Sequence, residues 1–377
     1  MRVGLDLLYL TPGETGGRET YARELVPALL AREPMLELVA FVSRDAGPGL
    51  ARELGEGVEE VVVPVSARSR VQWAAGELAL VSAAARRARV ELLHSMANFA
   101  PPWGPFKRVV TIHDLQYRAV PDRISLPVRA LTGALVSLAA RRADRILAVS
   151  EAGARELIED LGVQRTRIDV VPNGVRPPGT APPETDLRER FGLGDRPLAL
   201  SVATNLPHKN LPALIDALAL IEQPKRPLLV FAGHGTDDGS LRERALSAGV
   251  DSDVRTLGAC STEGLDGLYA AASCLVLPTL HEGFGLPVLE AMARSLPVAC
   301  SDIAALREVA GSAALYFNPR SPREISESLV RLLSDSGLAR ALVDQGKANA
   351  EHFSWAAAAE GTLASYARAL APAAPAR

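Results

Sequence analysis

The stretch His281-Glu282-Gly283-Phe284-Gly285-Leu286-Pro287-Val288-Leu289-Glu290-Ala291-Met292-Ala293 decides how this chain is read. It is a loop with two glycines that runs into a helix, with a carboxylate at each end of the passage. Gly283 and Gly285 carry no Cβ, so backbone there can approach a ligand closely. Pro287 suits the first turn of a helix, where its missing N–H costs nothing. The other N–H groups of that turn are unpaired and point outward, which suits an anion. Glu282 lies in the loop and Glu290 about a turn into the helix. An ionised carboxylate is a pure hydrogen-bond acceptor, matched to sugar hydroxyls. Acceptors that flank a phosphate-sized anion site describe a binder of nucleoside-diphosphate sugars.

The rest of the chain gives this loop a setting. A length of 377 residues fits two domains, and 48% hydrophobic with 23% charged residues is a globular composition. The net charge of −3 gives no general reason to expect nucleic-acid binding. Cys260, Cys274 and Cys300 include no C-x-x-C, so disulfides and a zinc site are not expected and a reducing cytoplasm is the default. The N-terminus reads as a first strand, and no apolar run reaches the length of a membrane span.

Short apolar runs alternate with helical patterns, which argues for parallel sheets with helix crossovers. Expected strands are 3–8, 38–41, 61–63, 92–93, 109–112, 146–149 and 168–171, then 198–202, 227–232, 254–256, 274–277, 298–301 and 314–317. Helices are expected at 19–32, 71–89, 127–144 and 151–161, then at 211–221, 239–248, 264–272, 287–293 and 322–333. Ser150 is placed to cap the helix at 151. Between them Asn173-Gly174, Pro177-Pro178, Gly179 and Pro182-Pro183 form a stiff connector. The expected domains are therefore 1–175 and 176–354, with a last helix within 355–377 and a frayed Ala/Pro-rich tail.

Three further places suit the same chemistry. Gly16-Gly17 opens a helix after the first strand, so its amides can face phosphate. Val109 to Ile112 is a strand that ends in His113-Asp114, and ligands in parallel sheets meet the carboxyl ends of strands. Lys209 follows the first strand of the second half and offers a compact point charge. His94, Asn98 and Phe99 follow an earlier strand, where a loop role competes with lining a cleft.

The Glu282-to-Glu290 segment resembles the Glu-x7-Glu signature of the retaining family 4 glycosyltransferases of GT-B architecture. That resemblance covers nearly the whole chain. It implies an α/β fold of two Rossmann-like parallel-sheet domains facing a central cleft, the first binding acceptor and the second the nucleotide-sugar donor, with the C-terminal helix crossing back to the first domain. By the resemblance, Glu282 faces the transferred sugar, Glu290 holds the ribose, and Gly283, Phe284, Gly285 and Leu286 lie along sugar and diphosphate. Lys209 and the Gly16-Gly17 amides meet the diphosphate, and backbone at Ala259 and Cys260 reads the base. His113 contacts the transferred sugar, so that His113, Glu282 and Lys209 are the catalytic set. Tyr9, Arg18, Tyr21 and Asp114 are acceptor-side residues, Asp114 chiefly by orienting its loop. Where many members have Gly-Arg, this chain has Ala203-Thr204, which leaves fewer fixed cations at the leaving group. Some branches carry Thr at the place of Thr204, mannosyltransferases among them. The implied reaction moves a hexose, with mannose and GDP-mannose ahead of UDP- or dTDP-linked sugars, to a carbohydrate or lipid-linked glycan. No metal and no resident cofactor are expected.

Rival readings are weaker. A retaining glycoside hydrolase holds its two carboxyls about 5 Å apart, whereas eight positions entering a helix span about 10 Å or more at ~1.5 Å per residue. A dehydrogenase needs the full G-x-G-x-x-G and a following acid. A sugar-nucleotide epimerase, or a non-catalytic nucleotide or carbohydrate binder on the same fold, stays open. Charge adds one further expectation: from Val61 to Arg145 there are 13 Arg and Lys against 5 Asp and Glu. A solvated face competes there with a basic surface, including Arg68, Arg70, Arg86, Arg87, Arg89, Arg118, Arg123 and Arg129, that rests on anionic lipid at the inner face of the plasma membrane.

Overall fold

The computed structural model describes residues 1–120, 125–179 and 184–372. Arg123, Pro182-Pro183 and residues 373–377, named above, lie outside them. The chain divides into two compact units, Met1–Gly174 with Ser354–Arg377, and Val175–Phe353.

Among the described residues, the first unit holds seven parallel strands: β1 (Arg2–Leu7), β2 (Glu37–Val42), β3 (Glu59–Val62), β4 (Leu92–Ser95), β5 (Lys107–Ile112), β6 (Arg145–Ala148) and β7 (Ile168–Val170). Their order is β3-β2-β1-β4-β5-β6-β7. The second unit holds six: β8 (Leu198–Val202), β9 (Leu228–Ala232), β10 (Val254–Thr256), β11 (Cys274–Leu277), β12 (Val298–Ser301) and β13 (Ala314–Phe317), in the order β10-β9-β8-β11-β12-β13. Every expected strand is present, with its ends within two residues of the expected ones. The reason is physical: strands covered on both faces are written as apolar runs that sequence alone displays. Phe41, Val39 and Leu93 pack with Val81 and Val63, and Ile112, Val110 and Ile146 with Val136 and Leu157.

The order in which strands are added reverses once in each sheet, between β1 and β4 and between β8 and β11, while all strands stay parallel. Crevices at the carboxyl ends of strands beside such a reversal are where α/β sheets bind ligands.

The last helix, Trp355–Leu370, starts from Ser354, whose hydroxyl accepts the Ala357 N–H at 3.1 Å. It packs on the helix Gly17–Arg32 and on β5 and β6. Tyr366 on this helix meets His94 Nδ1 at 2.7 Å, and His94 Nε2 meets Thr111 at 2.7 Å. His94 thus belongs to the interior of β4 and lines no cleft, a correction to one of the two roles considered for it. Ser150 caps its helix through the Gly153 N–H at 2.9 Å.

The short helices Leu50–Leu54, Gln116–Ala119, Glu184–Phe191 and Ala304–Ala310 go beyond the sequence reading, and two longer segments also differ from it. The helix Ser336–Ala350 is capped by Asp335 and was not anticipated, because Gly337 and Gly346 obscure its pattern. The segment expected as one helix at 71–89 is helical throughout but widens into a π-turn at Gly76–Leu80. Within that turn a Cβ at Gly76 would lie 3.0 Å from Leu8, and the next residue, Glu77, is buried against Asp6 of β1. Ser95 donates to Asp6 Oδ2 at 2.9 Å, a contact set by the Asp6–Ser95 register of β1 and β4. Burial pushes both carboxyls up, Glu77 well above the usual range, so the pair shares a proton that Glu77 holds. The folded state retains a proton that the unfolded chain releases above about pH 4.3. Stability from this pair is full below that value and is lost as pH rises through the raised Glu77 value. Glu77→Gln cannot ionise, and its amide still donates to Asp6. Its Tm is expected to gain on wild type progressively from pH 5 to pH 8 by calorimetry. A constant offset across that range contradicts the shared proton.

Candidate functional site

In the second unit the loops after β10, β9, β8 and β11 emerge side by side at the carboxyl edge of the sheet. After β8, Ala203 N–H donates to Ala232 O at 3.0 Å, and a Cβ on Gly233 would lie 2.2 Å from Ala203 O, so only glycine lets these loops touch. Thr204 is half-buried in this loop. The chain then makes the turn Pro207–Lys209, followed by Asn210 in the left-handed region at φ 54°. Asn210 Nδ2 donates to Pro278 O at 3.2 Å and Pro319 O at 2.9 Å. His208 O accepts from Leu280 N–H at 2.7 Å and the Thr279 hydroxyl at 3.1 Å. These bonds join the Lys209 turn to the loop after β11, across the sheet's reversal point.

That junction places Lys209 Nζ 2.5 Å from Glu282 Oε1, with the side chains 18% and 11% exposed. Beyond Glu282, Gly283 is buried, and Phe284 packs edge-on against Phe353 at 5.8 Å. Gly285 is left-handed at φ 107°, a conformation that favours glycine, and a Cβ there would also lie 2.4 Å from the end of the Leu306 side chain. It precedes the helix Leu286–Ala293, which has no side-chain cap; Val288 N–H and Leu289 N–H donate back to Gly285 O at 3.0 and 3.3 Å and Pro287 has no N–H, so the Leu286 amide is the one this turn leaves for an anion among the described residues. Glu290 on that helix accepts from the Tyr269 hydroxyl at 2.8 Å. Burial pushes the Glu290 carboxyl up, against the Tyr269 hydroxyl and the charges of Arg294 and Arg176. Ala259 is exposed and Cys260 half-buried after β10, where burial raises the Cys260 thiol. Cys274 and Cys300 are buried in β11 and β12.

In the first unit, Gly16 (φ 59°) and Gly17 are exposed at the start of Gly17–Arg32, which has no side-chain cap. Tyr9 donates its hydroxyl to Arg18 O at 3.2 Å, and the Arg18 guanidinium lies 5.6 Å from the Tyr9 ring centre. His113 follows β5. Its backbone N–H donates to Asn98 Oδ1 at 2.7 Å, and its Nε2 lies 2.8 Å from Met96 O. A carbonyl only accepts, so Nε2 carries the proton and Nδ1 the lone pair. Burial holds His113 down to about 4, with Arg18 adding to the effect, so the ring is neutral at neutral pH. Asp114 Oδ1 accepts the Gln116 N–H at 3.3 Å and so shapes the loop after His113. Tyr21 corrects an expectation of direct acceptor contact. It is 2% exposed, its hydroxyl is 2.9 Å from Thr111 Oγ1, and its ring sits edge-on to His113 at 4.8 Å. It supports the histidine from the interior.

The sequence reading missed the group around Glu290. Tyr269, Asp266 and Arg294 carry no local motif, and only tertiary contact brings them to it.

Two family descriptions match the chain: glycosyltransferase family 4 over residues 15–177, and glycosyl transferases group 1 over residues 184–349. The chain is 31% identical over 286 residues to O-antigen chain mannosyltransferase B of Escherichia coli, covering 71% of this chain and 72% of that one. It is 32% identical over 236 residues to the MMP alpha-(1->4)-mannosyltransferase of Mycolicibacterium hassiacum, covering 62% of this chain and 56% of that one. Its structure is similar to that of sucrose-phosphate synthase from Thermosynechococcus elongatus, with TM-score 0.78 at 20% identity over 97% of this chain and 98% of that one. The fold is GT-B, two Rossmann-like parallel-sheet units in one chain. With both halves matched and a relative of that identity and coverage, the chain belongs to the group 1, family 4 glycosyltransferases and is a transferase enzyme.

Proposed function

We propose that the chain is a retaining mannosyltransferase that moves mannose from GDP-mannose to a hydroxyl of a carbohydrate or lipid-linked glycan. The observation that carries this reading is the Lys209–Glu282 pair at the reversal point of the second sheet, followed in the chain by the uncapped helix start after Gly285. A charged amine together with an uncapped helix start suits a diphosphate, and an adjacent carboxylate suits sugar hydroxyls. Mannose is supported by the names of the two relatives above and by Thr204 in place of an arginine.

In this reading the bond from the anomeric carbon to the diphosphate oxygen breaks, and its electron pair leaves with the diphosphate. Lys209 and the amides at Gly285–Leu286 take up the developing charge without a metal, with Thr204 beside them. The acceptor oxygen bonds to the anomeric carbon on the same face, and its proton passes to a phosphate oxygen. Glu282 orients the sugar and favours positive charge on its ring. Backbone at Ala259 and Cys260 reads the base, Glu290 holds the ribose, and the Gly16-Gly17 amides serve the diphosphate. His113, neutral and with Nδ1 as acceptor, serves sugar hydroxyls, and Tyr9, Arg18 and Asp114 shape the acceptor side.

The test is a thermal-shift series with GDP, UDP, dTDP and ADP. A ligand present at a hundred times its Kd stabilises the native state by about 2.7 kcal/mol. GDP is expected to raise Tm most. A larger shift with UDP overturns the choice of base, and no shift with any of the four overturns the reading. Products formed from GDP-mannose without acceptor separate transfer from epimerisation.

The first unit adds a partner to the proposal, an anionic lipid surface at the inner face of the membrane. Between Arg70 and Arg86 the helical face exposes Val71, Gln72, Ala75, Leu80 and Ala83 and no charge. Val71 is 81% and nearby Trp103 57% exposed, and Arg68, Arg70, Arg86, Arg87 and Arg89 bound the face. Among the described residues no helix is long and apolar enough to cross a membrane. The protein is expected to sediment with anionic vesicles and to release with salt. Equal binding to neutral vesicles contradicts the electrostatic part.

A further inference from the structure

Glu290 is held by a group of side chains drawn from three segments. Tyr269, on the helix Thr262–Ala271, donates its hydroxyl to Glu290 Oε2 at 2.8 Å. Among the described residues this is the side-chain hydrogen bond that Glu290 receives. The Tyr269 ring is itself fixed, because the Arg294 guanidinium lies 5.2 Å from its centre. Arg294 is fixed in turn: it pairs with Asp266 Oδ1 at 2.5 Å, both side chains being 5% exposed, and its Nη1 donates to Glu290 O at 3.2 Å. Arg176, from the connector, closes the group on Asp266 at 3.1 Å. A buried ion pair adds little stability, because desolvation offsets the attraction. What it supplies here is a rigid frame on which one hydroxyl meets one carboxylate oxygen.

We propose that Tyr269 is a positioning residue for nucleotide recognition: it occupies Oε2 of Glu290, framed by Arg294 and Asp266, and so dedicates Oε1 to the ribose hydroxyls of the donor. This rests on the reading of Glu290 as the ribose-binding carboxylate. The hydroxyl has a second effect. It opposes the burial that pushes the Glu290 carboxyl up, as do the charges of Arg294 and Arg176, whereas Asp266 adds to that rise. Those are the charged and titratable groups that face Glu290 from its own helix, from Thr262–Ala271 and from the connector. Without the hydroxyl the carboxyl protonates at a higher pH and stops serving as a pure acceptor.

The experiment is calorimetric binding of GDP and of its 2′,3′-dideoxy analogue between pH 5 and pH 8, with wild type, Tyr269→Phe, Glu290→Gln and the double variant. Tyr269→Phe is expected to weaken GDP about tenfold at pH 7, in line with loss of one hydrogen bond to a charged group. Its acid limb for GDP moves to higher pH. The dideoxy analogue binds Tyr269→Phe and wild type alike, and Tyr269→Phe adds no further loss on the Glu290→Gln background. If Tyr269→Phe matches wild type in affinity and pH profile while Glu290→Gln weakens GDP, the proposal fails and the ribose reading stands. If Tyr269→Phe weakens both ligands equally, its role is merely structural and the proposal fails. If Glu290→Gln binds GDP as wild type does, the ribose reading itself has failed.

Discussion

Lys209→Ala loses at least about 100-fold in kcat/KM, the scale set by removing one preorganised donor from a developing oxyanion. The ammonium sits at the end of β8 beside the sheet's reversal, held there by the turn Pro207–Lys209. Thr204 in the same loop carries no charge, so few fixed cations share the load. GDP affinity falls as well, because the same amine meets the diphosphate in the ground state. The substitution also strands Glu282, which is 11% exposed and paired with Lys209. Removing one partner of a fully buried pair costs about 3–5 kcal/mol. The 18% exposure of Lys209 lets water compensate in part, so a loss of about 1–3 kcal/mol is expected. Steady-state kinetics and calorimetry measure the two effects separately. Wild-type turnover in this variant, with a donor that wild type uses, removes the assignment of Lys209.

Glu282→Ala also loses about 100-fold or more in transfer, but its binding signature is the opposite. The carboxylate holds the amine at 2.5 Å, so its removal frees Lys209 for phosphate. GDP binding is therefore retained or tightened while sugar transfer collapses, because the orienting acceptor for the sugar is gone. The double variant separates stability from chemistry. With both charges removed, no group is left stranded, and the double variant recovers stability relative to either single change. It recovers no activity. Loss of GDP binding in Glu282→Ala, matching that in Lys209→Ala, contradicts the division of labour between the two residues.

Much of this was legible in sequence because it is locally encoded. Strands buried on both faces are apolar runs, and the loop from Glu282 to Glu290 carries its glycines, proline and carboxylates within one short stretch. What was not legible depends on distant pairs. Lys209 and Glu282 were each identified, but their direct contact spans 73 residues of chain. Tyr21 reads as a polar aromatic near an acceptor, and the bond that turns it inward goes to Thr111, 90 residues away. Tyr269 stands in an unremarked helix and gains its role from Glu290. Glu77 reads as an ordinary helix acid, and only the π-turn, which no periodicity signals, brings it onto Asp6.

The bonds that tie the His208 carbonyl to Thr279 and Leu280, and Asn210 to Pro278 and Pro319, use main-chain atoms on one or both sides. The spacing of ammonium and carboxylate is therefore written in backbone and is insulated from side-chain drift at the neighbouring loops. Side-chain substitution in the neighbouring loops is expected to leave these ties in place, and with them the reach of the ammonium to the carboxylate.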